Sequence, residues 1–546
     1  MIPVSSISSL AAISSSLLAI YTSLAYATVL PAKRQLLDDS PGFTLHSFGT
    51  GVRASNIGPG TANASAASVT VANLQDAIYS VDVTVGGQEV TVQLDTGSAD
   101  FWVYIPQTPP KLTNKTSVRV TESYGAGAAS GYLSFTELKL GKYTVPNQAF
   151  VNVDTIRDFS FDIKGILGMA FDTAAIFQTV EAYYGADAAK KYGRSPISNI
   201  FAQNTSQPNY FDVNLGRTSD LDDISDGTFT ISEHVPGFEA VGSQPKLERL
   251  SEHYWSVTLD AMEVNGKPFS FAPSSVPGVP KGKIATLLDT GFTYPPLPPA
   301  AVDYIYSSIP GAVLYEDLWI IPCLGATNLT FVFGGQPYPV HPLDLSTPRV
   351  YSYIGDDNNE HNVTFCTNSY RYLTLDPANF PGLDAILGDA FLRNVYASFD
   401  YGDYDPVSKK DSQPFAQLLS TTQQDASWTE FQSARTKTLA ALPPIIDPAQ
   451  LIKLATGAST DNSTANAQIR TSGAISGDDG SSDSDLTSLV KRYGPLVVGL
   501  LAGNLLVGIL LFFIGLVVCV KGVVRGGAKT RTMGSAYTSV SFKDDH

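Results

Sequence analysis

The triplet Asp-Thr-Gly occurs twice, as Asp95-Thr96-Gly97 and Asp289-Thr290-Gly291, each time closing an apolar, strand-like run. One triplet would mean little, because Asp and Gly are ordinary turn residues. Two in matched contexts constrain the fold. Ahead of the first, Val81, Val83 and Val85 alternate with polar residues, Gly86-Gly87 interrupts, and Val90, Val92 and Leu94 alternate again. This is the pattern of a β-hairpin with a two-residue turn. Its second strand runs into Asp95, and the backbone then turns sharply at Gly97.

The match extends beyond the triplets. Thr91-Val-Gln-Leu-Asp95-Thr-Gly-Ser98 is echoed by Ala285-Thr-Leu-Leu-Asp289-Thr-Gly-Phe292, and Gly165-Ile-Leu-Gly168-Met-Ala-Phe171 by Ala385-Ile-Leu-Gly388-Asp-Ala-Phe391. The order is the same in both halves, and the second elements lie further apart than the first, as duplicated lobes with an insertion in the latter would give. Strand signals recur at Thr228–Ile231, at Trp255–Val264 before Asn265-Gly266, and at Leu329–Phe333 before Gly334-Gly335. Strands dominate up to about residue 405, and helical periodicity is local, as over Thr179–Tyr192. The expected class is all-β (mainly β), in two lobes that face each other across a cleft.

If the two strand ends are opposed, the carboxylates come close. Like charges at contact cannot both ionise cheaply, so the pair shares one proton. Such a dyad titrates as a coupled unit. One member takes a proton from a bridging water while the other protonates or hydrogen-bonds a substrate carbonyl. That chemistry is water-mediated amide hydrolysis without a covalent intermediate. No His-Glu-x-x-His pairing joins any of the six histidines, and no Gly-x-Ser-x-Gly elbow is present, so zinc-peptidase and serine-hydrolase signatures are missing.

Over residues 75 to 405 the sequence resembles the pepsin-like aspartic proteases. Asp95-Thr-Gly-Ser98-Ala-Asp-Phe-Trp102-Val matches the first active-site stretch, and Tyr124-Gly125-Ala126-Gly127 matches the flap that closes over bound peptide. Ile166-Leu167-Gly168 and Ile386-Leu387-Gly388 match the apolar-apolar-Gly motif of each lobe. The resemblance implies a bilobal pepsin-like fold with a central cleft, the N-lobe over about 71–240 and the C-lobe over about 241–440. It makes Asp95 and Asp289 the catalytic dyad, with Thr96 and Thr290 exchanging buried hydrogen bonds and Gly97 and Gly291 completing the loops. Ser98 would hydrogen-bond Asp95, and Trp102 would support Tyr124. Cys323 and Cys366 fall where the C-terminal lobe usually has its disulfide. No cofactor and no metal is implied, and the substrates are polypeptides.

Two positions depart from the family pattern. Phe292 stands where the second lobe usually has Thr or Ser, so Asp289 lacks that hydroxyl and should bind its proton more tightly. Ala126 replaces a residue that is often polar. The alternative reading, motivated by Phe292, is a catalytically silent pepsin-like peptide-binding surface protein.

The chain ends set the expected compartment. Residues 1–27, apolar and ending in Ala25-Tyr26-Ala27, read as a signal peptide, and 28–70, with the dibasic Lys33-Arg34, as a leader or prosegment of a zymogen. Residues 441–494 read as a Ser, Thr, Gly and Asp-rich stalk. Leu496–Val520 carries no charge over 25 residues, about 37 Å of helix against a ~30 Å hydrocarbon core, so 495–520 reads as a transmembrane helix. Lys521, Arg525, Lys529 and Arg531 then place the tail, 521–546, in the cytosol. The reading is a single-pass protein of the secretory pathway whose catalytic domain lies at the cell surface or in an acidic vacuole-like compartment. Gly499 and Gly503 have the spacing by which such helices pair, though a monomer is the expected state. Sequons at Asn63, Asn114, Asn204, Asn328, Asn362 and Asn462 all fall on the outer side. With 51 acidic against 35 basic residues the formal charge is -16, which argues against nucleic acid as a partner. Three cysteines are too few to staple the fold, so the core must come from apolar burial.

Overall fold

The computed structural model describes residues 68–456, apart from 75–77, 125–126, 158, 160–163, 218–219, 221–226, 356, 374–381 and 406–409. The expected signal peptide, leader, 495–520 span and cytosolic tail lie outside the described residues, as do Asn63, Asn462, Gly125 and Ala126. Among the described residues no helix is long and apolar enough to cross a membrane.

Alternating valines form the expected hairpin. Ile78–Val85 pairs antiparallel with Gln88–Asp95, and Val85 faces Gln88 across the Gly86-Gly87 turn. Both turn glycines have positive φ, 55° and 83°, which residues with a Cβ adopt only at a cost. Val81, Val83, Val85, Val92 and Leu94 are buried, so one face of the hairpin enters the core.

The repeat seen in the sequence becomes pairing within each half. Gln88–Asp95 runs parallel to Gly165–Gly168, placing Asp95 beside Gly168. Ile284–Leu288 runs parallel to Ala385–Leu387, with Leu288 beside Leu387. Each strand that ends on a triplet is thus braced by the second repeated motif of its own half.

A sheet of 13 strands joins the two ends of the folded region. Near one end of it, Tyr210–Asn214 pairs with Gly227–Ile231 on one side and Val395–Asp400 on the other. There Asp212 accepts hydrogen bonds from the Tyr396 hydroxyl at 2.7 Å and pairs with His234 at 2.6 Å. That hydrogen bond raises the affinity of His234 for its proton, so the contact is strongest in acid.

Trp255–Val264, expected as one strand, is two: Ser256–Leu259 pairs with Ile284–Leu288, and Ala261–Val264 pairs with Leu329–Phe333. Asp260 divides them, binding Lys283 at 2.7 Å and the Gly335 amide at 2.9 Å. A short polar residue with partners in two directions lets the chain change sheets there. Thr179–Tyr192 likewise spans two helices, Ala175–Tyr184 and Ala186–Tyr192, separated at Gly185 with φ 89°.

Cys323 and Cys366 form a disulfide with Cα atoms 5.1 Å apart. The helix Gln424–Ala440 docks beside it through Arg435, which is fully buried and binds Asp220 at 2.7 Å and the Ser346 carbonyl at 2.9 Å. The chain stays on the fold beyond Ala440. The Thr364 amide donates to the Pro444 carbonyl at 2.8 Å, the Ile446 amide donates to the Thr364 carbonyl at 2.9 Å, and Leu451 of the helix Pro448–Thr456 is fully buried.

Candidate active site

Each triplet follows a strand that is almost wholly buried at its end, so both aspartates stand on rigid bases. Their loops are tied reciprocally. Thr96 Oγ1 donates to the Leu288 carbonyl at 2.8 Å and accepts from the Thr290 amide at 3.0 Å. Thr290 Oγ1 donates to the Leu94 carbonyl at 3.0 Å and accepts from the Thr96 amide at 3.1 Å. Both threonines are fully buried. The four bonds make an approximately two-fold arrangement that fixes one carboxyl against the other.

The glycines are required by that closeness. A Cβ on Gly97 would collide with the Asp289 carboxyl, and one on Gly291 with the Asp95 carboxyl. Each glycine amide also donates to the aspartate of its own triplet, Gly97 to Asp95 at 2.9 Å and Gly291 to Asp289 at 2.8 Å.

The two carboxyls are not equivalent. Burial raises the proton affinity of Asp95, opposed by hydrogen bonds from the Ser98 hydroxyl, the Gly97 amide and the Asp289 carboxyl. The Ser98 contact is 2.5 Å. Asp289 is pushed well above the ordinary carboxylate range by burial and by the charge of Asp95, with the Gly291 and Gly97 amides opposing. Phe292, which occupies the position of Ser98 in the second half, packs against the core instead. Its carbonyl accepts from the Asp389 amide at 2.9 Å. Phe292→Ser is therefore expected to lower the proton affinity of Asp289. The alkaline limb of the kcat/KM–pH profile should move down by about one pH unit. Identical limbs in the two proteins would contradict this.

Trp102 Nε1 donates to the Tyr124 hydroxyl at 2.9 Å, and Phe159 lies against both rings. Tyr124 ends the strand Asn114–Tyr124 and faces Gly127 across the hairpin. Among the described residues no group of three His, Cys, Asp or Glu is placed to hold a metal. Of the sequons, Asn204, Asn328 and Asn362 are exposed and Asn114 is half-buried on the edge strand.

Sequence reasoning missed a second carboxyl pair below the Tyr124 hairpin. Asp100 accepts the Ala175 and Ile176 amides at 2.9 and 3.0 Å, which satisfies the first free amides of the helix Ala175–Tyr184. Glu122 faces Asp100 from the hairpin strand, and its Oε1 is enclosed without a hydrogen-bond partner. Burial, the charge of Asp100 and the hydrogen bond between them hold the Glu122 carboxyl well above its usual range, so Glu122 carries the proton. The one available signal was an acidic residue two places before Tyr124, on the same strand face.

This pair has a stability consequence. A carboxyl raised in the folded state stabilises fully below its unfolded pKa, about 4.3, and that contribution is lost as pH rises through the folded value. Glu122→Gln keeps a neutral donor at every pH. Its unfolding free energy should fall less steeply with pH above about 4.5, by up to about 1.4 kcal/mol per unit. Denaturant unfolding at stepped pH reads this directly, and parallel profiles would exclude the pairing.

A mainly-β fold with a repeated strand–Asp-Thr-Gly loop and two buried carboxyls held against each other defines a protein of the aspartic protease class. The eukaryotic aspartyl protease family matches residues 78–406. The chain belongs to that family and is an aspartic-type endopeptidase. It is 26% identical over 352 residues to major aspartyl peptidase 1 of Cryptococcus neoformans var. grubii, covering 60% of this chain and 67% of the relative. It is 23% identical over 364 residues to cathepsin D of Dictyostelium discoideum, covering 62% and 84%. With vacuolar protease A of Aspergillus fumigatus it shares 25% over 357 residues, 61% and 79% of the two chains.

Proposed function

We infer that Asp95 and Asp289 form a dyad that hydrolyses peptide bonds with an activated water in acid, in a cleft between two lobes. The observation that carries this reading is the mutual approach of the two carboxyls, each lying against the other triplet's glycine. Asp95, steadied as an anion by Ser98 and Gly97, takes the water proton. Asp289, with the higher proton affinity, donates to the substrate carbonyl oxygen. The oxyanion is thereby neutralised as it forms, and the proton on Asp95 passes to the leaving amine. Tyr124, held by Trp102, closes the hairpin over an extended polypeptide.

The same reading places the enzyme on the secretory route, with a removable leader, N-glycans on the exposed sequons and one C-terminal span holding the catalytic region outside the cytosol. Names of relatives such as vacuolar protease A accord with an acidic compartment. Cleavage in oxygen-18 water tests the mechanism. One labelled oxygen should enter each new carboxylate, and added hydroxylamine should trap no acyl-enzyme. A trapped acyl-enzyme would contradict the reading.

A further inference from the structure

Two arginines meet on the chain that leaves the second triplet, and among the described residues neither makes an ion pair with a carboxylate. Tyr294 is five residues beyond Asp289 on the chain that leaves the second triplet. Arg349 Nη2 donates to its hydroxyl at 2.5 Å. The Arg371 guanidinium lies over the same ring, 5.1 Å from its centre, and that of Arg349 is 5.9 Å from it. Arg371 is brought there by the short parallel pairing of Arg371–Tyr372 with Pro296–Leu297, and its amide donates to the Pro295 carbonyl at 2.9 Å. The strand that carries it is therefore laid along the exit of the catalytic loop.

Three other arginines of this protein bind a buried carboxylate. Arg217 and Arg393 bind Asp344 at 2.5 and 2.7 Å, and Arg435 binds Asp220 at 2.7 Å. Arg371 instead reaches only neutral acceptors among the described residues, Asn368 Oδ1 at 3.1 Å and Thr367 Oγ1 at 3.4 Å. Burial brings the Arg371 guanidinium down to about 10, opposed by Tyr294, Tyr306 and the charge of Asp317 and assisted by the neighbouring charge of Arg349. Two guanidiniums held near one another without an anion are costly, and a planar carboxylate is what their fork geometry accepts. Arg349, Arg371 and Tyr294 all remain partly exposed, so a ligand can reach them.

We propose that Arg349 and Arg371, set over Tyr294, form a subsite that takes an acidic side chain of the polypeptide substrate and so selects Asp or Glu near the scissile bond. The proposal rests on the endopeptidase reading for its substrate class. The chain as a whole is strongly acidic, with a formal charge of -16, which makes this positive spot a local feature and not a general attraction.

The test uses the full-length protein and matched peptides that carry Glu, Gln or Lys in turn at each position around the cleaved bond. At pH 5.5 one position should favour Glu over Gln by about tenfold or more in kcat/KM, with Lys the poorest. Arg371→Gln and Arg349→Gln should each bring that ratio close to one. Equal cleavage of Glu and Gln peptides at every position would overturn the subsite, as would a ratio that survives both variants. If the variants fail to fold, the wild-type protein decides. Its Glu-to-Gln ratio should collapse below about pH 4 as the substrate carboxyl gains its proton, and a ratio independent of pH overturns the proposal. Calorimetry of Asp95→Asn with the uncleaved peptides separates the two claims. If the wild type hydrolyses nothing while Asp95→Asn binds the Glu peptide about tenfold more tightly than the Gln peptide, the subsite stands and only the hydrolytic reading of the dyad is lost. Equal binding of the two peptides overturns the subsite.

Discussion

Asp95→Asn is expected to lower kcat/KM for any peptide by about 10⁴-fold, the upper end of what a positioned proton acceptor supplies. Asparagine is nearly isosteric and keeps partners for the Ser98 hydroxyl and the Gly97 amide. The geometry should persist, but the amide cannot take a proton from water. The same change removes a carboxyl that burial makes costly to ionise. Its raised proton affinity stabilises below about pH 3.9, and that stabilisation is lost as pH rises through the folded value. Asp95→Asn should therefore match the wild type in strong acid and exceed it in stability at pH 6, while being inert. Equal loss of activity and stability would point to a structural role instead.

Thr96→Val should cost about 2–5 kcal/mol of folding free energy, although valine fills the same space. The lost hydroxyl strands the Leu288 carbonyl and the Thr290 amide, both of which it satisfies. Each buried polar group left without a partner costs about 1–3 kcal/mol. Thr290→Val should cost a similar amount by stranding Leu94 and Thr96. The double variant should lose less than the sum, because the four bonds form one network. Urea unfolding at pH 4 to 5 measures all three. Strict additivity, or a cost below 1 kcal/mol, would show that the two loops are not locked together in this way.

Much of this arrangement was legible in the sequence where the determinants are local. Alternating valines around Gly86-Gly87 specify the hairpin, and the repeated Gly165–Phe171 and Ala385–Phe391 motifs turn out to be the strands that brace each triplet. The Trp102–Tyr124 contact and the Cys323–Cys366 pairing followed only from the family resemblance, because nothing in the spacing alone brings those residues together. Other features were beyond local reading. Arg435 meets Asp220 across 215 residues, and a buried arginine looks like any surface arginine until its partner is known. Asp100 and Glu122 read as turn and strand residues, and only the fold turns them into a proton-sharing pair. The break at Asp260 left a signal that was not used, because the apolar positions shift phase there, from 255, 257 and 259 to 262 and 264. Arg349 and Arg371 belong to separate strands that meet only at Tyr294.

The central claim is that two buried carboxyls sharing one proton carry out hydrolysis. It is tested most directly by kcat/KM of the full-length protein on an extended peptide from pH 3 to 8, alongside Asp95→Asn and Asp289→Asn. The expected result is a bell confined to the acid side, silenced by a statine-type inhibitor and absent from both variants. No turnover by the folded wild type at any pH, or a bell that survives in either variant, would contradict it.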